Sequence, residues 1–367
     1  MKVIHRFVAG VALLPFVLGC GSGADSESAD IIPFCKMERL SFSELPGQVF
    51  SAMEYIVPET GKNQDMLFSS VDQVEYKDDK LYILDWRYRR LVVFDSDGQP
   101  VSSLRRQGRG PGEYLQISAF DVDSDGTMWI LDAQKDVLNA YGADGVFRES
   151  MPLPFQTDFL KCLDNGKFLF KLATWDESDY KGKCILLTDR NLNVEEAFVE
   201  YGPTDPNFEL SSPGLNDCGD FFIYHFPICD DVYRLSKDGI PEKEYHFDFG
   251  SRTVPEEART DIESSLDDFD GYTALAGALY MDDAVGIGTI YDSRDYKGFF
   301  MDRKSGKVYV QDSGHACLTF VGVSGGVAVF YIPGGSGGAD FLPDDIRQAS
   351  GAGDDVFALL PVDRCRL

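Results

Sequence analysis

Leu81-Tyr82-Ile83-Leu84-Asp85, followed by Leu91-Val92-Val93-Phe94 and Asp97-Gly98, returns in register as Met128-Trp129-Ile130-Leu131-Asp132, Leu138-Asn139-Ala140-Tyr141 and Asp144-Gly145. Each position is displaced by 47 residues, from Leu81 onto Met128. A period of that length, built from paired apolar strands and Asp-Gly turns, is the pattern of propeller blades. Working outward, Asp72 to Arg106 and Ala119 to Met151 are the sharpest units. A third copy reads Ile185-Leu186-Leu187-Thr188-Asp189, its preceding strand Lys167 to Leu172 set apart by a longer loop, Trp175 to Lys183. A fourth reads Phe221-Phe222-Ile223-Tyr224, Val232-Tyr233-Arg234-Leu235 and Asp238-Gly239. A fifth runs from Gly298-Phe299-Phe300-Met301-Asp302 to Ser305-Gly306, and a last pairs Gly326 to Tyr331 with Asp354 to Leu359.

Six units of about 55 residues each accommodate insertions on a blade of about 40 to 50 residues. The expected fold is therefore all-β, a six-bladed β-propeller over residues 36–367. An open row of sheets would expose edges prone to aggregation, so a closed ring is expected. An N-terminal strand near Glu38 to Phe50 is expected to complete the final blade. One segment breaks the β pattern. Thr253-Val254-Pro255-Glu256 offers a capping residue, an early proline and a glutamate, and Ala258, Ile262 and Leu266 then recur on one helical face. A short helix inserted between blades four and five is expected, packed on the propeller's side or serving as a lid.

The first 20 residues read as an export signal: Lys2, His5 and Arg6, then an apolar run from Phe7 to Leu18, ending Val17-Leu18-Gly19-Cys20. Small residues before a cysteine resemble a bacterial lipobox, in which Cys20 is lipidated and becomes the N-terminus. Several acyl chains together make such an anchor stable. Residues 21–35 begin with a polar, acidic run, Gly21 to Asp30, and are expected to form a flexible tether. The formal charge of −27, from 61 acidic against 34 basic residues, repels phosphate backbones, so no nucleic-acid partner is expected. Of eight cysteines, seven remain once Cys20 is lipidated, and Cys162 with Cys184 or Cys218 with Cys229 are conceivable bridges.

The run Gly108-Arg109-Gly110-Pro111-Gly112-Glu113-Tyr114, with the lipobox and the blade pattern, resembles the six-bladed β-propeller lipoproteins of Bacteroidetes, relatives of the NHL-repeat propellers. The resemblance spans the mature chain and is most specific over Leu81 to Tyr114. It implies an outer-membrane lipoprotein on the periplasmic or cell-surface face. It implies no activity and supplies no catalytic residues.

For chemistry, Asp121, Asp123, Asp125 and Asp132 fit part of a calcium-loop template, but position twelve is Asp rather than Glu and the flanks read as strands, so hairpin turns explain them equally. Gly108 to Gly112 lacks the Gly-Lys-Ser/Thr ending of a phosphate loop; these glycines serve tight turns, and no cofactor is expected. Arg87, Arg89, Arg90, Arg105, Arg106 and Arg109 form a basic island, interleaved with Trp86 and Tyr88. Arginine forks bind carboxylates and sulfates and stack on aromatic rings, which suits acidic sugars. The alternative is pairing with the chain's own carboxylates. His225, His246 and His315 sit without a nucleophile elbow, the first two in aromatic strands that suit structural histidines. Acidic pairs such as Asp267-Asp268, Asp282-Asp283 and Asp344-Asp345 are what 61 acidic residues produce by chance, and they single out no glycosidase pair. Two functions remain: a lipid-anchored binding or scaffold propeller for a glycan or protein, or an enzyme with convergent carboxylates in its central funnel.

Overall fold

The computed structural model describes residues 29–61, 63–204, 214–312, 318–335, 342–350 and 354–367. The chain opens with three short strands, β1 (Asp30–Ile32), β2 (Glu38–Ser41) and β3 (Glu54–Ile56). Blade one follows with β4 (Gln73–Lys77), β5 (Lys80–Asp85), β6 (Arg90–Asp95) and β7 (Pro100–Leu104). Blade two holds β8 (Ala119–Val122), β9 (Met128–Asp132), β10 (Val137–Tyr141) and β11 (Phe147–Pro152). Blade three holds β12 (Thr157–Cys162), β13 (Phe168–Leu172), β14 (Lys183–Thr188) and β15 (Val194–Glu200). Blade four holds β16 (Leu215–Asp217), β17 (Phe221–His225), β18 (Asp231–Ser236) and β19 (Pro241–Phe247). Blade five holds β20 (Thr273–Met281), β21 (Val285–Asp292), β22 (Asp295–Asp302) and β23 (Lys307–Val310). Blade six holds β24 (Thr319–Ser324), β25 (Val327–Ile332) and β26 (Val356–Pro361). The innermost strands β4, β8, β12, β16, β20 and β24 pack on one another in succession, and β24 returns to β4. The ring is closed, and the chain is the six-bladed propeller that the repeat implied.

The apolar runs that announced the blades are middle strands buried on both faces. Leu81 to Asp85 and Met128 to Asp132 are buried throughout, because each sheet is sandwiched between two others. The core is a circle of inter-blade seams rather than one centre. Trp129 meets Phe168 edge-on at 4.9 Å between blades two and three, and Phe300 stacks on Phe330 at 5.6 Å between blades five and six.

The N-terminal segment departs from the expected plan. The strand that completes blade six is β3, antiparallel to β26, with Tyr55 opposite Ala358. Glu38–Ser41 instead joins blade five in parallel, outside β23, and Asp30–Ile32 joins blade four in parallel, outside β19. The expected tether over 21–35 therefore ends earlier: Ile32 and Phe34 are buried in the propeller, and Asp30 bonds Arg303 at 2.8 Å and Lys243 at 3.1 Å. Cys20 and residues 21–28 lie outside the described residues.

The insertion is helical but broken. It runs as Glu256–Thr260, Ile262–Ser265 and a 3-10 turn, Leu266–Gly271, interrupted at Asp261. Pro255 occupies the cap position without a side-chain bond, and Thr253 closes the preceding turn instead of capping the helix. Ala258 and Ile262 pack on Ile228, Val254 and Phe269, so the insertion rests against the blades; the side chain of Leu266 lies outside the described residues. Neither conceivable disulfide forms. Cys162 and Cys184 sit on β12 and β14, with β13 between them, and Cys218 and Cys229 lie beyond opposite ends of the second-strand region of blade four. Both separations exceed the reach of an S–S bond.

Candidate functional site

In every blade the turn between the second and third strands lies at the end where the innermost strand begins. This end is the upper face. On blade one that turn is Trp86–Arg89, and the connection from β7 into blade two, residues 105–118, starts on the same face. The basic island is thereby drawn from two loops that are far apart in neither sequence nor space.

Asp85 organises the first loop. Its carboxylate is fully buried and accepts the amides of Ser69 (2.7 Å) and Tyr88 (2.9 Å) and the Ser70 hydroxyl. Asp132, its repeat counterpart, accepts Leu115 N–H (2.7 Å) and Gln134 N–H (3.1 Å) in blade two. The repeated aspartate is a joint between a turn and the chain entering the blade. The calcium-loop candidates are divided by these contacts. Asp123 is spent on its own hairpin, accepting from Asp125 N–H, Thr127 N–H and Trp129 Nε1, while Asp121 accepts Cys162 N–H at 2.6 Å, and Asp125 is exposed. The four carboxylates are dispersed over both ends of β9, and among the described residues no group of three His, Cys, Asp or Glu is placed to hold a metal ion.

Tyr114 ties the two arginine loops together. It is fully buried, and its hydroxyl reaches the carbonyls of Arg89 (3.0 Å) and Leu104 (3.1 Å) while accepting Arg106 N–H (3.0 Å). Burial pushes its phenol up to about 12, which keeps the donor proton in place. The Gly108–Tyr114 run closes on itself through Gly108 N–H to Tyr114 O (2.9 Å) and Gly110 N–H to Glu113 Oε2 (2.7 Å). Gly112 has φ +67 and a Cβ there would stand 2.4 Å from the Phe147 ring, so that position does not tolerate a side chain, whereas one on Gly108 would displace the Glu113 carboxylate from Gly110 N–H. Tyr114→Phe is expected to cost ~1–3 kcal/mol, by stranding buried partners. Faster amide exchange over residues 86–89 and 105–109, with a lowered melting temperature, would show it; unchanged exchange there would contradict the clamp.

The arginines divide. Arg90 is buried, donates to Gln64 O at 2.9 Å and stacks on Tyr88 at 4.7 Å. Arg87, Arg89, Arg105, Arg106 and Arg109 are exposed, and none has a carboxylate partner among the described residues; Arg106 donates only to Gly145 O. Tyr88 stands out beside them, 43% exposed, whereas Trp86 is half-buried. The same face carries exposed Trp175 on blade three and Tyr296 on blade five. Among the described residues none of the six arginines forms an ion pair with a carboxylate.

The axis holds what sequence reading missed. Glu75 from blade one pairs with Lys161 from blade three, and Asp121 from blade two lies 3.7 Å from the same ammonium. All three are buried. Gln73 exchanges two hydrogen bonds with the Phe120 backbone and gives a third to Glu75. Burial opposes the Lys161 charge, but Asp121 and Glu75 outweigh it and hold the ammonium protonated well above its usual range. The cavity that Gln73, Glu75, Phe159, Lys161, Asn216 and Gly322 line measures about 10 Å³, space for one water. The histidines are structural in setting: His225, fully buried, donates from Nε2 to Gly277 O at 2.8 Å and burial pushes it down to about 4, while His246 meets Asp231 at 2.7 Å. His315 lies outside the described residues.

No helix among the described residues is long and apolar enough to cross a membrane. The fold is similar to that of a protein inferred to be exported, from Bacteroides fragilis NCTC 9343, with a TM-score of 0.70 and 17% identity over 90% of this chain and 99% of that one. A member of the DUF4221 family from Bacteroides vulgatus is similar with a TM-score of 0.50 and 11% identity, over 83% and 95% of the two chains. At such identities the likeness shows the fold alone. No curated protein matches the sequence. The family model described as "Domain of unknown function (DUF4934)" matches residues 32–334, most of the propeller, and the chain belongs to that family.

Proposed function

We propose that this protein is a lipid-anchored, extracytoplasmic binding propeller whose blade-one arginine loops hold an acidic glycan. The observation that carries this reading is five exposed arginines without carboxylate partners among the described residues, clamped into two adjoining loops beside exposed Tyr88, in a chain of net charge −27. Surrounded by so many acidic side chains, cations left uncompensated favour an anionic ligand, and an aromatic face beside them suits a sugar ring. The axial carboxylates Glu75 and Asp121, by contrast, face the Lys161 ammonium and are engaged by a cation of the chain itself.

The anchor is compatible with this site. β1 enters blade four from the lower face, and blade four stands opposite blade one in the ring. A lipidated Cys20 followed by an extended 21–29 would lie within ~30 Å of that entry point. The arginine loops lie on the face opposite that entry point. The export signal, the lipobox and the exported-protein neighbour favour the outer membrane, on its periplasmic or surface side.

The test uses residues 21–367, which hold every described strand, on acidic and neutral glycans. Salt-sensitive binding is expected for acidic glycans, with at least a hundredfold loss in the Arg87/Arg89/Arg109→Ala variant, since each charge-assisted bond contributes ~1.5–3 kcal/mol. Equal binding by the variant, or silence across the acidic set, would overturn the reading. Membrane release of a Cys20→Ala variant tests the anchor separately.

A further inference from the structure

The outer edges of the six blades are finished differently. Blades four and five have theirs covered by β1 and β2, both added in parallel. Blade six ends in the three-residue β3, which begins with exposed Glu54. The edge of blade two carries exposed Arg148 and Glu149, and that of blade three carries exposed Glu195, Glu196 and Glu200. Charges and short strands of this kind discourage further pairing.

Blade one has neither protection. Its edge strand β7 reads Pro100-Val101-Ser102-Ser103-Leu104, without a charge, and Val101 is 47% exposed. Among the described residues the backbone of Val101 to Ser103 bonds only to β6. Proline at the first position removes one donor and leaves the rest of the edge intact. Directly beyond the strand come Arg105 and Arg106, both exposed.

We propose that β7 is a docking edge for an extended segment of a partner protein, added as a parallel fifth strand with acidic residues at its C-terminal end. Two edges of this same ring already accept short parallel strands from the chain's own N-terminus, so the geometry of the addition is realised in the molecule. Main-chain bonds supply affinity in such an addition and flanking side chains supply selection. A parallel strand runs the way β7 runs, so its last residues come level with Arg105 and Arg106, and carboxylates there complete the complementarity. The first described strand, β1, starts at Asp30 and joins blade four, across the ring from blade one.

The probe is a synthetic peptide of alternating threonine and valine ending in two glutamates, against one ending in two lysines and one with a central proline, offered to residues 21–367. The glutamate peptide is expected to bind at least tenfold more tightly than either control, to weaken with salt, and to slow amide exchange over Val101–Leu104. Val101→Glu, a change at an exposed side chain, is expected to weaken it at least tenfold while melting temperature and glycan binding stay unchanged. In the unaltered protein, absent glycan binding with peptide binding intact would count against the arginine-loop reading alone. Absent binding, equal binding of the lysine peptide, or no added protection over Val101–Leu104 would overturn the proposal. So would a concentration-dependent dimer that protects the same amides without peptide, because the occupant would then be a second copy.

Discussion

Replacing Lys161 with alanine is expected to cost about 3–5 kcal/mol, since it leaves Glu75 and Asp121 buried at the axis without their cation. Such a loss is a large part of the stability of an ordinary domain, so the variant should be partly unfolded at physiological temperature. The deficit should depend on pH. Burial pushes the Glu75 carboxyl up even with Lys161 opposing it, and removing the ammonium raises it further. An acid whose folded pKa lies above its unfolded value takes up a proton more readily when folded, so folding gains as pH falls through that interval. The cost of Lys161→Ala should therefore be greatest near pH 7.5 and should shrink as pH falls from there toward the ordinary glutamate value of ~4.3. Urea unfolding at the two pH values measures it. Neutralising the cluster together, with Lys161→Met, Glu75→Gln and Asp121→Asn, should recover most of the loss, because no buried charge then stands alone. A cost under ~1 kcal/mol for Lys161→Ala, or a deficit that grows in acid, would mean that the triad does not hold the three blades as described.

The sequence discloses blades wherever a strand is buried on both sides, because such a strand is a continuous apolar run with a turn at each end. Leu81 to Asp85 and its copy at Met128 are of this kind, and the aspartate ending each run marks the joint to the incoming loop. Edge strands leave no such mark. β1, β2 and β3 are three or four residues long, and which blade each joins is decided by reach and register around the ring rather than by pattern. Glu38 to Ser41 was accordingly expected on blade six and lies on blade five.

The arginine island was legible as a cluster because its two loops are close in sequence. What makes it a surface was not: Tyr114 acts through a hydroxyl whose three partners sit eight to 25 residues away. The Gly108–Tyr114 run was the available signal, since three glycines and a proline within five residues imply a tightly turned loop. The axial triad gave no signal at all. Glu75, Asp121 and Lys161 come from three blades and meet only when the ring is complete. The helical insertion shows the converse limit, where a capping pattern at Thr253 is outweighed by the turn that precedes it.

Beginning the chain at Pro58 instead of Gly21 is expected to abolish folding. The deleted segment buries Ile32, Phe34, Phe42, Val49, Met53 and Ile56, each 7% exposed or less. At roughly 1.5–3 kcal/mol for each such side chain, the loss is on the order of 10 kcal/mol, comparable with the whole stability of many domains. The backbone loses as well. Without β3, the strand β26 becomes the edge of blade six, and its sequence Val356-Phe357-Ala358-Leu359-Leu360 is apolar and free of charge. An edge of that composition is a site of aggregation, and blades four and five are uncovered at the same time. Residues 21–367 should therefore elute as a folded protein with a cooperative melt, while residues 58–367 should aggregate or lack one. A peptide spanning residues 21–57 added during refolding should restore soluble protein, since the missing strands bind at edges that the rest of the ring presents. Cooperative melting of residues 58–367 within a few degrees of the longer chain would show that the ring closes on its inner strands alone. The N-terminal strands would then be a covering rather than the clasp.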